Sequence, residues 1–531
     1  MPEIPEAGSA LEAVEVMLLV FAVAVAMAFL ARRIGVAEPI LLLIAGVLLG
    51  LVPDIPRIEL QPDVVFALFL PPILFGAAYF TPIRDFGANV RPILMLAVGL
   101  VLFTTVVVGL VAHAIIPGMG LAVAFTLGAI VAPPDAVAAT AIFQRLGVPR
   151  RMVTILEGES LVNDATSLIT YRTATAAAVG AMSFSVVGAS VDFIIAALGG
   201  VVVGVLIGAV LTMLLQRTRE PDLEIAMTLI APTTAFLLAE RYEVSGVLAA
   251  VVAGLITGRR AARALSPDAR LLGRGAWQIL IWAINAVVFL SIGLQLPAIL
   301  GGLSATPPEE LVRYGVIISL TVIVARFLWV FPETYLPRFF NPKLRARDPY
   351  PPARSVVIVS WAGMRGVVSL AAALALAPDI PQRPLILYLT FCVILATLVG
   401  QGLTLPWLIR WLGVTADRDA LEAEETQARV AAVEAGLARL EELRAEYPDH
   451  LPLIDQIRDE LEHEAGHVSP GEDMTIDEAQ KEALDHRAIR SAILLAQREA
   501  VIRLRDDGDI NDETLRRIEL ELDLEAVRTG A

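Results

Sequence analysis

The chain has 531 residues, of which 56% are hydrophobic and 18% are charged, and its mean hydropathy is +0.69. A soluble domain is about 45–50% apolar with roughly a quarter of its residues charged, so this composition excludes an ordinary soluble domain and a disordered chain. The single cysteine, Cys392, excludes a disulfide scaffold.

The charges divide the chain near residue 415. Residues 1–414 hold 27 Lys+Arg and 25 Asp+Glu, whereas residues 415–531 hold 14 Lys+Arg and 31 Asp+Glu. A near-neutral apolar body followed by an acidic polar segment is typical of a membrane domain with a soluble appendage. We therefore predict a transmembrane domain over residues 1–414 and an acidic, helical, cytoplasmic tail over residues 415–531.

Apolar runs in the body are close to the ~20 residues that a helix needs to cross a membrane. We count thirteen such runs, at about 12–30, 34–52, 62–80, 92–116, 120–142, 153–178, 188–215, 222–240, 244–258, 276–300, 311–336, 354–377 and 384–412. Residues 1–16 hold four Glu and no Lys or Arg, which argues against a cleaved leader. Alternate loops hold 19 Lys+Arg and the intervening loops only Arg57, Arg241 and Arg383. This asymmetry predicts an N-terminus outside the cell membrane and a cytoplasmic tail.

In the fifth run, Pro133 and Pro134 stand beside Asp135. Proline lacks a backbone donor and clashes with the preceding turn, so the pair predicts an opened helix with unpaired carbonyl oxygens. Irregular backbone at membrane depth is tolerated where it lines a cavity or is buried in protein, and its oxygens can hold a cation. A simple structural kink is the alternative, and it leaves the neighbouring aspartate unexplained.

The sixth run carries the densest set of polar side chains, namely Glu157, Glu159, Ser160, Asn163 and Asp164. Ser160 and Asp164 are four residues apart, as are Glu159 and Asn163, so the four share one wedge of a helix. Ionisable groups inside membrane segments are costly and mark transport paths. The wedge predicts a cation-binding site; the alternative is a solvated loop.

Arginine side chains occur within two later apolar runs. In the twelfth run, Gly363 and Gly366 flank Arg365, which indicates a second interrupted helix. Two interrupted runs, one in each half, predict inverted repeats with the binding site at their crossing. Arg326 in the eleventh run is surrounded by apolar residues, although snorkelling to the membrane surface is an alternative.

At this point the sequence resembles the bacterial, electroneutral sodium/proton exchangers of the monovalent cation:proton antiporter superfamily. The strings that carry the resemblance are Phe69-Leu-Pro-Pro-Ile-Leu-Phe75, Pro133-Pro-Asp-Ala-Val-Ala138, Glu157-Gly-Glu-Ser-Leu-Val-Asn-Asp-Ala-Thr166, Ser245-Gly-Val-Leu248 and Gly363-Met-Arg-Gly-Val-Val-Ser369. The resemblance implies an all-α membrane protein with about 13 transmembrane helices in two inverted six-helix repeats, whose interrupted helices cross. It also implies a homodimer in the lipid bilayer that exchanges Na+, or Li+, for H+, with no cofactor, no enzymatic activity and no nucleic-acid partner.

The resemblance also implies roles for the residues of the site. Asp164 would carry either Na+ or a proton, with Ser160 and Asp135 assisting. A carbonyl oxygen of Pro133 or Pro134 would serve as the main-chain ligand. No metal is implied beyond the transported Na+.

Three further residues are assigned by the same resemblance. Asn163 would replace the second aspartate of electrogenic relatives and contact Arg326, and Glu159 would form an ion pair with Arg365. The chain departs from many relatives at Gly76, where they carry an acidic residue.

The chemistry of one carboxylate predicts the stoichiometry. A hard cation prefers oxygen ligands, so Na+ and H+ would compete for Asp164. Because Asn163 is neutral, one Na+ would leave for each entering proton, and the exchange would be electroneutral.

Three other activities remain open. K+/H+ exchange uses the same ligand types, and a cation channel would need no titrating site. The tail also holds His463-Glu-Ala-Gly-His467, which matches a zinc-peptidase pattern through His463, Glu464 and His467. The glycine at 466 and the Val-Ser-Pro-Gly that follows favour a helix end there instead.

Two packing features are also predicted. In the seventh run, Gly200, Gly204 and Gly208 recur every fourth residue, which favours close helix packing within one chain over a dimer contact. In the tail, apolar residues at helical spacing predict helices over 417–447, about 476–505 and 512–528.

Overall fold

The computed structural model describes residues 7–52, 64–180, 186–303, 306–415, 418–468, 476–507, 509 and 512–529. Across these ranges the chain is helical and contains no β-strand. It divides into two compact units, Met1–Ala416 and Asp417–Ala531. The membrane and cytoplasmic assignments of the two units remain predictions at this point.

The helices of the first unit follow one another with short connections. Their bounds are Ala7–Ile34, Glu38–Gly50, Leu70–Phe80, Ile83–Ala88, Val90–Leu94, Val101–Ile115, Leu121–Val131, Val137–Leu146, Arg150–Ala178, Val186–Arg217, Pro221–Arg241, Gly246–Ala264, Pro267–Leu294, Leu296–Gly301, Pro308–Phe340, Pro342–Arg347, Ala353–Trp361, Val367–Leu374, Arg383–Ile394 and Gly402–Leu412. Turns of π-helix at Val65–Phe69, Met95–Leu100 and Leu395–Gln401 join some of them into longer rods.

Many of these helices are suited to a membrane. Within the described residues, seven are long and apolar enough to cross one: Met17–Ile34, Val90–Ile115, Val187–Arg217, Pro221–Arg241, Pro267–Gly301, Pro308–Phe340 and Arg383–Leu412. Shorter apolar helices lie at Glu38–Gly50, Val65–Phe80, Leu121–Val131 and Val137–Leu146. The unit is therefore a bundle of membrane helices. The count of thirteen spans and their inverted repeats remain predictions.

Two of the runs are interrupted, as the sequence predicted. The first broken helix consists of Leu121–Val131 and Val137–Leu146, and the chain between them is not helical. The second broken helix consists of Ala353–Trp361 and Val367–Leu374. In the first break, proline withholds the donors that would continue the helix. In the second, Gly366 adopts a backbone conformation (φ −145°, ψ −137°) outside the helical range.

The sixth run forms one continuous helix, Arg150–Ala178, which we call the site helix. It packs against both halves of the first broken helix and contacts the second. Its polar side chains are largely buried, since Glu159, Asn163 and Asp164 are 1%, 0% and 6% exposed. The alternative of a solvated loop is therefore wrong.

The recurring glycines of helix Val186–Arg217 pack within the chain. A Cβ on Gly204 would lie 2.6 Å from the carbonyl oxygen of Ala249, and one on Gly208 would lie 3.0 Å from the Cβ of Ile256. Both neighbours belong to helix Gly246–Ala264. The prediction of close packing inside one chain is confirmed, because only glycine lets these two backbones approach so closely.

The second unit is a set of helices with bounds Arg418–Glu446, Leu451–Val468, Ile476–Asp506 and Asp512–Thr529. Three of them confirm the predicted helices at 417–447, 476–505 and 512–528. The helix Leu451–Val468 runs through His463, Glu464 and His467 and ends just beyond them, but these three side chains lie outside the described residues. The zinc-peptidase pattern is therefore not tested.

Candidate functional site

The site helix presents a strip of polar side chains to a cavity of about 710 Å³. Glu157, Ser160 and Asp164 all line this cavity and recur at intervals of three and four residues, which places them on one face. With a rise of about 1.5 Å per residue, the strip extends roughly 10 Å along the helix. Asp164 is at its deeper end, whereas Arg150, in the first turn of the same helix, lines the other end.

The site helix also holds the unwound part of the first broken helix. The Nδ2 of Asn163 donates a hydrogen bond of 2.7 Å to the carbonyl oxygen of Pro134, and the Ala136 N–H faces Ser160 Oγ at 3.4 Å. Since proline interrupts the helix here, this carbonyl has lost its intrahelical partner and the amide replaces it. Asn163 therefore supports the opened backbone, and the predicted contact with Arg326 is wrong: Arg326 bonds Glu159 and Val359 instead.

The two broken helices meet at their unwound segments. The N–H of Asp135 donates a hydrogen bond of 2.6 Å to the carbonyl oxygen of Met364. The N–H of Arg365 donates one of 3.0 Å to Thr397 Oγ1, which lies in the π-helical turn Leu395–Gln401. Backbone groups released by the two interruptions are thus paired with each other and with a neighbouring hydroxyl, as burial requires.

The carboxylate of Asp135 lies at the N-termini of two half-helices. Its Oδ1 accepts a hydrogen bond of 2.9 Å from the N–H of Val137, the first residue of one half-helix, and its Oδ2 lies against Gly366, directly before the first residue of the other. Each N-terminus carries a partial positive charge. Their convergence compensates the negative charge of Asp135 without a cationic side chain.

The guanidinium of Arg365 bonds carbonyl oxygens at the C-termini of the other two half-helices. It donates hydrogen bonds to the carbonyl oxygens of Val131 (3.0 Å) and Ala132 (3.2 Å), at the end of one half-helix, and to that of Gly363 just beyond the end of the other. These carbonyls carry the partial negative charge of the helix ends. Asp135 and Arg365 thus lie against the ends of all four half-helices at the crossing.

This arrangement corrects the predicted ion pair between Glu159 and Arg365. Glu159 instead pairs with Arg326 of helix Pro308–Phe340, through two hydrogen bonds of 2.6 and 2.8 Å. Both side chains are buried, with exposures of 1% and 0%. The guanidinium of Arg365 bonds backbone carbonyls, whereas the fork of Arg326 matches the carboxylate, so the closest charge compensation of Glu159 comes from Arg326.

Gly366 leaves the space that the Asp135 carboxylate fills. A Cβ at residue 366 would overlap the Asp135 carboxylate. We expect Gly366→Ala to displace this carboxylate, to cost about 1–3 kcal/mol of stability through overpacking, and to slow exchange strongly. The control is Gly400→Ala, because a Cβ at residue 400 would meet no atom within 4 Å. Thermal unfolding and transport of both variants would check this, and wild-type behaviour of Gly366→Ala would contradict it.

The departure at Gly76 has a steric counterpart. A Cβ at this position would lie 2.6 Å from Cδ1 of Ile281 and 3.2 Å from the Trp277 ring. Gly76 is also absent from the cavity lining. A carboxylate at this position would need both neighbours to move, so the cavity gains no acidic group from it.

Several cavity residues were not foreseen from the sequence. Arg274, Gln278 and Asn285 enter from helix Pro267–Leu294, and Ser369 enters from the second broken helix. Gln278, Asn285 and Ser369 are each polar within an apolar run, and Arg274 directly precedes one, but no spacing pattern connects the four with the site helix. The predicted residues Pro133, Pro134, Asp135, Ser160 and Asp164 do line the same cavity.

Comparison with known proteins gives three kinds of likeness. The family "Sodium/hydrogen exchanger, transmembrane" matches residues 18–411. An uncharacterized Na(+)/H(+) exchanger of Mycobacterium tuberculosis is 35% identical over 541 residues, covering 99% of this chain and 97% of that protein. A sodium, potassium, lithium and rubidium/H(+) antiporter of Bacillus subtilis is 34% identical over 387 residues, covering 70% of this chain and 57% of that protein.

A solved structure shares the fold. The sodium proton antiporter MjNhaP1 of Methanocaldococcus jannaschii superposes with a TM-score of 0.61 at 20% identity, covering 76% of this chain and 99% of that one. The fold of a membrane antiporter and the family match over most of the chain agree with each other. The chain therefore belongs to the sodium/hydrogen exchanger family, whose members are secondary transporters of cations and protons and not enzymes.

Proposed function

We propose that the protein exchanges Na+, or Li+, for H+ by alternating access, with Asp164 as the group that carries either ion. The observation that carries this proposal is a buried carboxylate without a cationic partner. Among the described residues no Lys, Arg or His forms an ion pair with Asp164, and a second carboxylate, that of Asp135, lines the same cavity. A buried negative charge without compensation is costly, so the site gains by binding a cation or a proton.

The two carboxylates differ in their compensation. Asp135 lies at the N-termini of two half-helices and accepts a hydrogen bond from the N–H of Val137, and both features support its charged form. Asp164 has no such donors among the described residues and faces the cavity. This difference favours Asp164 as the exchanging group, with Asp135 and Ser160 contributing further oxygen atoms. Pro133 and Pro134 line the same cavity, and the carbonyl oxygen of Pro134 already accepts a hydrogen bond from Asn163.

The stoichiometry follows from the neutral side chain beside this carboxylate. Asn163 adds no titrating group, and the nearby charges of Glu159 and Arg326 compensate each other. Loading the site with one Na+ or one proton therefore leaves the same net charge on the moving part. We propose electroneutral 1:1 exchange.

The cavity supports a conformation open to the cytoplasm. Its lining includes Arg150 and Arg274, near the starts of helices Arg150–Ala178 and Pro267–Leu294, at the ends that the distribution of basic residues assigns to the cytoplasmic side. Near the other end of the site helix, Arg172 forms an ion pair of 2.7 Å with Glu240 of helix Pro221–Arg241. We propose that this contact closes the outer side in this state, and that the N-terminus is outside and the tail is cytoplasmic.

A second candidate function is K+/H+ exchange. It is favoured by the relative from Bacillus subtilis, whose name includes potassium and rubidium, and by a cavity larger than a single ion needs.

We propose that Na+ is the main substrate and that the protein forms a homodimer in the cell membrane.

Proteoliposomes with a preset pH gradient would test this function. Lumenal pH would be followed as Na+, Li+ or K+ is added, and the Na+ trace would be repeated at several clamped membrane potentials. We expect Na+ and Li+ to change lumenal pH at rates that do not depend on potential. An exchange rate that changes with membrane potential at fixed ion gradients would overturn electroneutrality. A larger pH change with K+ than with Na+ would favour K+/H+ exchange. Cation flux without proton movement would indicate a channel.

A further inference from the structure

The cavity contains buried oxygen atoms that no protein group satisfies. We propose that Ser369 is a further oxygen ligand of the transported cation, directly or through one water molecule, with the side-chain oxygen of Asn285 as a second such ligand. This inference rests on the proposed function, because it assigns the substrate of that same cavity.

Ser369 is buried, with 2% of its surface exposed, and its Oγ has no hydrogen-bond partner. The great majority of buried polar side-chain atoms in proteins are hydrogen-bonded, and an unsatisfied one costs free energy. A hydroxyl that lines a cavity is satisfied when an ion or a water occupies the space beside it. Ser369 is on that lining.

The second broken helix places this hydroxyl on the side of the carboxylates. Gly366 directly precedes the half-helix Val367–Leu374 and lies so close to the Asp135 carboxylate that a Cβ is excluded. Ser369 is in the first turn of that half-helix and lines the same cavity as Asp135 and Asp164. Its hydroxyl is therefore within one helical turn of the contact with Asp135.

Asn285 brings a comparable atom from another helix. Its Oδ1 is buried, has no hydrogen-bond partner, and belongs to a residue that lines the same cavity. Both oxygens are neutral, so they add ligands without adding negative charge to the two aspartates. Such a donor set suits a hard monovalent cation, which needs several oxygens to replace its hydration shell.

An unsatisfied hydroxyl alone does not make a site, and the same protein provides the comparison. Ser291 of helix Pro267–Leu294 is 0% exposed and its Oγ has no partner, but it is absent from the cavity lining. Ser369 combines both properties. Ser291→Ala is therefore the matched control, since it removes an equally buried, equally unsatisfied hydroxyl away from the ion.

The test compares Ser369→Ala and Ser291→Ala with the intact protein in proteoliposomes. We expect Ser369→Ala to raise the apparent KM for Na+ about tenfold, with the maximal rate retained, and Ser291→Ala to leave both unchanged. Ser369→Thr keeps the hydroxyl and should restore most of the affinity. Ser369→Cys keeps the side-chain size but replaces a hard oxygen with a soft sulfur, so it should weaken Na+ affinity even if the alanine variant folds poorly.

A second readout does not depend on turnover. Na+ that binds the folded protein raises its apparent Tm in detergent, and we expect this rise to require about tenfold more Na+ in Ser369→Ala. If the intact protein exchanges no cation, the proposed function fails. If it exchanges normally and the KM and Tm response of Ser369→Ala and Ser369→Cys equal those of the intact protein, this inference is wrong.

Discussion

Replacing Asp164 by Asn is expected to abolish exchange while leaving the protein folded. An amide is nearly the same size as the carboxylate, but it neither takes up a proton nor carries the negative charge that holds a cation. Since Asp164 has no cationic partner among the described residues, its neutralisation leaves no other buried charge unpaired. We expect the rate of Na+-driven pH change to fall about a hundredfold or more, to the level of empty liposomes.

The control for this variant is the same substitution at an exposed position. Asp379 lies on the surface between the second broken helix and helix Arg383–Ile394. Asp379→Asn should exchange like the intact protein. Size-exclusion chromatography and thermal unfolding would establish that both variants are folded, and measurable exchange by Asp164→Asn would remove this aspartate from the mechanism.

Replacing Glu159 by Gln is expected to damage the fold more than any change within the ion site. Glu159 and Arg326 are buried and joined by two hydrogen bonds. Removing one partner of a buried pair strands the other charge, which costs about 3–5 kcal/mol. We expect a much lower apparent Tm and less protein in the membrane, with exchange retained by the fraction that folds.

Two comparisons separate the stranded charge from other causes. Glu159→Met combined with Arg326→Met removes both charges and should recover most of the stability, because apolar residues of similar volume can replace a buried pair. Glu240→Gln breaks a more exposed pair, in which the Arg172 and Glu240 side chains are 56% and 29% exposed, and should cost at most about 1 kcal/mol. Equal unfolding temperatures for Glu159→Gln and Glu240→Gln would contradict the argument.

Features that depend on neighbouring residues in the chain could be predicted from the sequence. Pro133 and Pro134 withhold backbone donors, so the break of their helix depends on no distant contact. The glycines around Arg365 likewise indicated the second break, and helical spacing placed Ser160 and Asp164 on one face. The hydropathy and the sequence strings shared with the exchangers indicated a membrane exchanger, and the family match confirms this prediction.

The tertiary structure decided which groups meet. Glu159 and Arg326 are 167 residues apart in sequence, and no periodicity connects a carboxylate on one helix with a particular arginine on another. Arg365 was assigned the wrong partner because its nearest acceptors are backbone carbonyls, which become available only where the two broken helices cross.

The cavity lining is the other feature that only the tertiary structure shows. Asn285 and Ser369 are ordinary polar residues in apolar runs, and their place in the cavity lining depends on how helix Pro267–Leu294 and the second broken helix pack. The sequence by itself determined the helical membrane bundle, the two breaks and the face of the site helix that carries Ser160 and Asp164. Packing determined the ion-pair partners and the remaining oxygens, because side chains from distant parts of the chain converge only in the folded bundle.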